Sequence, residues 1–200
     1  MSGLVFIDKD GTLVENVPYN VDPALIRLAP GAERAIPRLA VAGCTLAVVS
    51  NQPGVALGRF PESALELVHD RLRELIAELG AKLAGFYYCP HHPDGVVPEY
   101  SVHCQCRKPA PGLIERAARD AGASPSGAWL VGDILDDIEA GSRAGCTTIL
   151  VDNGNETEWM LTPRRRPDYI VRDLDEAADF ITSSLSVAGA AARPVMDAGR

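Results

Sequence analysis

Leu4-Val5-Phe6-Ile7, an unbroken apolar run, gives way at once to Asp8-Lys9-Asp10-Gly11-Thr12. A short apolar run bounded by turn-forming residues reads as a strand buried on both faces. A buried strand that ends in carboxylates and a glycine delivers them to the carboxyl edge of a parallel sheet, where such sheets bind ligands. The rest of the chain repeats the pattern. The residues predict further strands over 44–49, 86–88, 128–131, 147–151 and 169–171, alternating with helices over 31–42, 62–79, 113–121, 134–144 and 174–181. The helix at 62–79 is written in Leu65, Val68, Leu72, Leu75, Ile76 and Leu79, with Gly80 as its stop. Alternating strands and helices predict an α/β fold, a three-layer sandwich around a central, mainly parallel sheet. We expect one domain over residues 1–182 and a flexible tail, rich in Ala and Ser, over 183–200, with no internal repeat.

Composition narrows the function classes. A formal net charge of −8 gives a nucleic-acid partner no general electrostatic support. The basic cluster Arg164-Arg165-Arg166 reads as a solvated loop between prolines. No apolar run approaches the roughly 20 residues that cross a bilayer, and no basic leader precedes Gly3. We expect a cytoplasmic monomer with no membrane partner, in a compartment where thiols stay reduced.

That compartment bears on the five cysteines, three of which fall between 89 and 106. Residues 89–110 show no periodicity, and a structureless stretch of that length inside a compact domain is usually functional. It holds Cys89-Pro90-His91 and, twelve residues later, Cys104-Gln105-Cys106. Three sulfurs and one imidazole nitrogen make a closed tetrahedral zinc site, with His92 and His103 as competing nitrogen donors. A closed site leaves no open position for catalysis, so its role is structural. Cys44 and Cys146 stand at strand starts and read as buried small apolar residues.

Two more strand ends carry chemistry: Ser50-Asn51-Gln52 and Gly132-Asp133, while Arg107-Lys108-Pro109 precedes a helix. An isolated Asp-x-Asp reads as a solvated turn, but here matching partners recur at other strand ends. In this order the residues resemble the four motifs of the haloacid dehalogenase superfamily of phosphatases over roughly residues 4–182. Asp8-Lys9-Asp10-Gly11-Thr12 matches the first motif, Ser50 the second and Lys108 the third, while Gly132-Asp133 with Asp137 matches the fourth.

The resemblance implies a haloacid dehalogenase-like sandwich with no large cap domain, since residues 13–30 and the cysteine loop are the only insertions. It implies Asp8 as nucleophile, with Asp10 protonating the leaving alkoxide and then activating water. It implies Mg²⁺ on the Asp8 and Asp133 carboxylates and the Asp10 backbone carbonyl. Lys108 and Ser50 would hold the phosphate beside Gly11 and Thr12, and Asp137, one helical turn on, would support Asp133 from behind unless it is merely an exposed helical carboxylate. The cysteine loop is similar to that of the zinc-containing branch, which selects His91 with Cys89, Cys104 and Cys106 as Zn²⁺ ligands. Within that branch the runs 50–56 and 87–109 look like the members that act on a heptose bisphosphate. Members acting on histidinol phosphate have a shorter stretch between the ligand pairs. The implied substrate is therefore a phosphorylated sugar, with Asn51, Arg107 and Tyr19 contacting the sugar or its second phosphate. Ile134 departs from the pattern, standing where some relatives carry a polar residue.

Overall fold

The structure, a computed structural model, describes residues 3–191. Its elements are β1 (Leu4–Ile7), α1 (Ala32–Val41), β2 (Thr45–Asn51), α2 (Ala64–Glu78), β3 (Leu83–Cys89), α3 (Gly112–Asp120), β4 (Trp129–Gly132), α4 (Leu135–Ala144), β5 (Thr147–Val151), β6 (Tyr169–Val171) and α5 (Leu174–Ala191). The six strands form one sheet in the order β3-β2-β1-β4-β5-β6, and every neighbouring pair is parallel.

Side chains alternate across a strand, and both faces of this sheet are apolar. Val5, Ile7, Leu46, Val48, Val131 and Ile149 pack with the buried faces of α1, α2 and α5. Their neighbours Leu4, Phe6, Ala47, Val49 and Leu130 pack with α3 and with Ala140 of α4. Two helical layers on two apolar faces give the three-layer sandwich that the alternating pattern predicts. The strand order runs one way from β1 to β3 and the other way from β4 to β6. The crevice therefore opens at the carboxyl ends of β1 and β4, where the order reverses.

Three elements extend two or more residues beyond the sequence expectation, each because of tertiary packing. β2 extends to Asn51 and β3 begins at Leu83, since the two pair from Leu46–Leu83 to Asn51–Cys89, with one register shift after Leu46. That ladder carries Ser50 and Asn51 inside the strand instead of just beyond it. α5 continues ten residues past the predicted end at Ile181. Its alanines favour helix, and Leu185 packs on the core. Residues 183–191 of the expected tail thus belong to α5, and residues 192–200 lie outside the described residues. Cys146 is buried as expected, whereas Cys44 is only half-buried.

Between β1 and α1 the chain makes an irregular arm with one 3-10 turn, Pro23–Leu25, and no cap domain is present among the described residues. No helix among them is long and apolar enough to cross a membrane.

Candidate active site and metal centres

Register assembles the site. Ile7 lies opposite Val48 on one side and Val131 on the other, and the Asp8 N–H donates to Val131 O at 2.9 Å. Asp8 therefore follows β1 near the level where β2 reaches Ser50 and β4 runs into Asp133. All of them line a cavity of about 210 Å³, together with Asp10 and Lys108.

At its floor lies a buried ion-pair network. Lys108 Nζ contacts Asp8 Oδ1, stands 2.5 Å from Asp137 Oδ1 and donates to Val49 O at 3.2 Å. Lys108 is 2% exposed and Asp137 fully buried. Burial works to discharge Lys108, but the charges of Asp137 and Asp8 outweigh it and hold its pKa above the usual value. Burial likewise pushes the Asp8 carboxyl up, with Lys108 opposing. The exposed-carboxylate reading of Asp137 is thereby overturned, and so is its expected partner. Asp137 braces Lys108, not Asp133, while its other oxygen accepts from Ile134 N at 3.2 Å. Its pKa is pushed up to about 6 by burial against the pull of Lys108. Asp133 is pushed up to about 7, first by burial and then by the charges of Asp8 and Asp137.

Asp133 is held from two sides: Thr12 Oγ1 donates to Oδ1 at 3.2 Å and Asn155 Nδ2 to Oδ2 at 2.6 Å. Gly11 makes room for this, because a Cβ there would stand 2.1 Å from Asp133 Oδ2. Asp8, Asp133 and Asp137 place ligand oxygens within 4.8 Å of one another. Three buried carboxylates around one ammonium leave uncompensated negative charge, and an all-oxygen donor set suits a hard divalent cation. Asp8 and Asp133 line the cavity and Asp137 does not, so Asp8 and Asp133 are the carboxylates that could hold such an ion from within it.

Asp10 points into the same cavity. One oxygen is 2.5 Å from the buried Lys9 ammonium. The other accepts from Gln52 Nε2 at 3.1 Å, and that amide also donates to Ser50 Oγ at 2.9 Å.

The second cluster is built by the loop between β3 and α3. Cys89, His91, Cys104 and Cys106 bring ligand atoms within 4.8 Å of one another. The sulfurs lie 3.0, 3.3 and 3.5 Å apart, and His91 Nδ1 is 3.3 Å from Cys106 Sγ. None of these cysteines is in a disulfide. Hydrogen bonding from Cys89 lowers the Cys106 thiol to about 5 and the same bond raises the Cys89 thiol, so within this pair Cys106 is the one favoured as a thiolate. His92 and His103 are not in it: His92 Nδ1 accepts from Asp94 N at 3.2 Å, and His103 is exposed. Three sulfurs and one nitrogen fit a tetrahedral structural metal site.

The residues expected on the sugar sit differently from one another. Asn51 spends both ends of its amide on the Lys108 backbone, donating to its carbonyl at 3.0 Å and accepting from its N–H at 2.9 Å. Arg107 lines an adjoining cavity of about 360 Å³ with His103 and Arg143; its side-chain hydrogen bond is a 3.4 Å one to His91 O. Tyr19, with φ of 56°, lies beneath the Arg59 guanidinium at 5.6 Å, and does not line the carboxylate cavity. Ile134 does line it, alongside Asn16 and Asn155. Sequence reading did not single out Lys9, Asn16, Gln52 or Asn155. Only Gln52 carried a signal, its place directly after a polar strand end.

A model of HAD-hydrolase-like proteins matches residues 105–177. A protein of Pseudomonas aeruginosa named D-glycero-beta-D-manno-heptose-1,7-bisphosphate 7-phosphatase is 36% identical over 90% of this chain and 93% of its own length. A HAD-like phosphatase structure from Mesorhizobium loti superposes with a TM-score of 0.78, at 32% identity over 93% of this chain and 87% of that one. A D,D-heptose 1,7-bisphosphate phosphatase from B. bronchiseptica, solved with magnesium and phosphate, superposes with a TM-score of 0.74. It is 29% identical over 91% of this chain and 99% of that one.

Proposed function

The chain belongs to the haloacid dehalogenase-like hydrolases, as a phosphatase, and we propose that it removes the 7-phosphate of D-glycero-D-manno-heptose 1,7-bisphosphate through a phospho-aspartate at Asp8. The observation that carries the reading is the buried Asp8 carboxylate in contact with Lys108, in one cavity with Asp10, Ser50 and Asp133. The names of the relatives support the sugar.

An Asp8 oxygen attacks phosphorus as the bond to the sugar oxygen breaks, and Asp10 gives its proton to that leaving alkoxide. Asp10, now a carboxylate, takes a proton from water. The water oxygen bonds to phosphorus, the bond to Asp8 breaks, and phosphate leaves with Asp8 restored. Lys108 and the Ser50 hydroxyl hold the phosphoryl oxygens, and Asp137 holds Lys108. Gln52 keeps Asp10 aligned with Ser50. Mg²⁺ on Asp8 and Asp133 would neutralise charge on the phosphoryl group, the main help that phosphoryl transfer needs. Zn²⁺ on Cys89, His91, Cys104 and Cys106 would fix the loop that carries Lys108 and Arg107. Arg107, in the adjoining cavity, receives the second phosphate as a planar bidentate donor. The enzyme works in the cytoplasm as a monomer.

A substrate panel at fixed Mg²⁺ tests this. Heptose 1,7-bisphosphate should exceed histidinol phosphate and p-nitrophenyl phosphate in kcat/KM by at least about tenfold, the factor set by 1.4 kcal/mol of extra binding. Equal rates on all three would remove the sugar assignment.

A further inference from the structure

Residues 153–156, just beyond β5, form a strap that makes three side-chain hydrogen bonds to the site, and the reaction as drawn does not use it. Asn153 Nδ2 donates to Gly11 O at 2.6 Å, and Asn153 Oδ1 accepts from Asn155 N at 3.1 Å. Asn155 Nδ2 donates to Asp133 Oδ2 at 2.6 Å. Glu156 Oε2 accepts from Leu135 N at 2.7 Å, at the first turn of the helix that follows Asp133. Gly11 adjoins this contact, for a Cβ there would stand 2.4 Å from Asn155 Nδ2. The glycine of the first strand end thus admits an amide from the fifth.

With Thr12 on the other oxygen, each Asp133 oxygen has one donor. A carboxylate offers roughly four acceptor positions, so one remains free on each oxygen while the plane of the group is set from both sides. A neutral amide suits the task. An ammonium at this place would neutralise Asp133 and compete with a cation, and a further carboxylate would add to the repulsion among Asp8, Asp133 and Asp137.

We propose that Asn155 is a positioning residue for Asp133, holding the carboxylate in the orientation that receives the divalent cation. The proposal rests on the reading of Asp133 as a cation ligand.

Mn²⁺ serves as the probe, with free ion measured by electron paramagnetic resonance on protein freed of Mg²⁺. Asn155→Ala should weaken Mn²⁺ binding about 10- to 100-fold, the usual effect of losing a partner behind a metal ligand. Its deficit in turnover should shrink as Mg²⁺ is raised, and Asn155→Ser, with a shorter donor, should fall between alanine and wild type. Asp133→Asn, measured alongside, should lose binding outright. If Asp133→Asn binds as wild type does, the cation reading itself fails and this proposal with it. If Asp133→Asn loses the ion while Asn155→Ala keeps wild-type affinity, the positioning role alone is overturned. A lower melting temperature and lower kcat for Asn155→Ala, at unchanged Mn²⁺ affinity, would also overturn it, since that is how a merely structural residue behaves.

Discussion

Asp137 is the residue whose place changes the account most. It lies one helical turn from Asp133 yet makes its ion pair with Lys108 across the sheet end. Asp137→Asn keeps an acceptor but removes the charge, leaving Asp8 alone to face the Lys108 ammonium. A charge-assisted contact is worth about 1.5–3 kcal/mol, or roughly 10- to 150-fold. Turnover should fall by that factor, checked by steady-state kinetics, and wild-type turnover would reduce Asp137 to its contact with Ile134 N. Arg107→Ala belongs to the same scale. It should lower kcat/KM for a sugar bisphosphate by a similar factor and leave p-nitrophenyl phosphate nearly untouched, because that ester lacks a second anionic group. Equal losses on both would place Arg107 in the common phosphate site. Asp8, Asp10, Ser50 and Asp133 were legible because each ends or follows a strand, where chemistry and periodicity coincide, and Lys108 because it stands before a helix in the order of the family's motifs. Lys9 and Asn155 were not. Asn155 reaches Asp133 from the next strand end, 22 residues on, and a single hydrogen bond between loops leaves no periodic trace in a sequence.

The loop between β3 and α3 is the element on which both halves of the site depend. Val96 N and Val97 N donate to Ala56 O at 2.7 and 3.0 Å, docking the loop on the chain that leaves β2. Lys108 follows Cys106 by two residues and is gripped by Asn51 from the end of β2. The loop has little core of its own, so metal binding is folding energy for it. Protein purified without chelator should contain about one zinc per chain, the content of a four-ligand site. Cys104→Ser should lose that zinc and also lower kcat, since the segment holding Lys108 loses its anchor. Metal analysis and kinetics on one preparation test both, and full activity without zinc would separate the loop from catalysis. The three sulfur donors of the cluster could be read from spacing, because tetrahedral coordination needs only two close pairs. In the sequence His91 is selected over His92 and His103 only by the family resemblance. The lengths of β2 and β3 could not be read, because their final residues are set by mutual pairing and not by apolar pattern.

At the scale of the molecule, the sandwich was legible from its alternation of apolar runs and amphipathic helices, while the extent of α5 was not. An Ala- and Ser-rich sequence has helix propensity but no amphipathic signature, and docking of Leu185 decides it. The same architecture concentrates charge at one end of the sheet, with a consequence for stability. Asp133 and Asp137 have pKa values raised to about 7 and about 6, against roughly 3.9 in an unfolded chain. Over that interval the folded chain binds more protons than the unfolded one, so stability falls as pH rises from about 4 to about 7. The raised Lys108 adds stability that is full below roughly 10.4, outside this window. A divalent cation binds the deprotonated carboxylates, so its stabilising effect grows over the same interval. Mg²⁺ should raise the melting temperature by at least about 3 °C more at pH 7.5 than at pH 5, the shift that about 1 kcal/mol brings in a chain of this size. An equal shift at both pH values would mean that the ion binds elsewhere. The central claim is covalent: the strand ends converge so that Asp8 carries the phosphoryl group. Its most direct measurement is borohydride trapping during steady-state turnover, which reduces an acyl phosphate to the alcohol, followed by mass spectrometry of the peptide containing Asp8. The account predicts substrate-dependent conversion of residue 8 to homoserine, enhanced in Asp10→Asn with a substrate whose leaving group needs no proton. Continued turnover with residue 8 unmodified, or the label on another carboxylate, would contradict it.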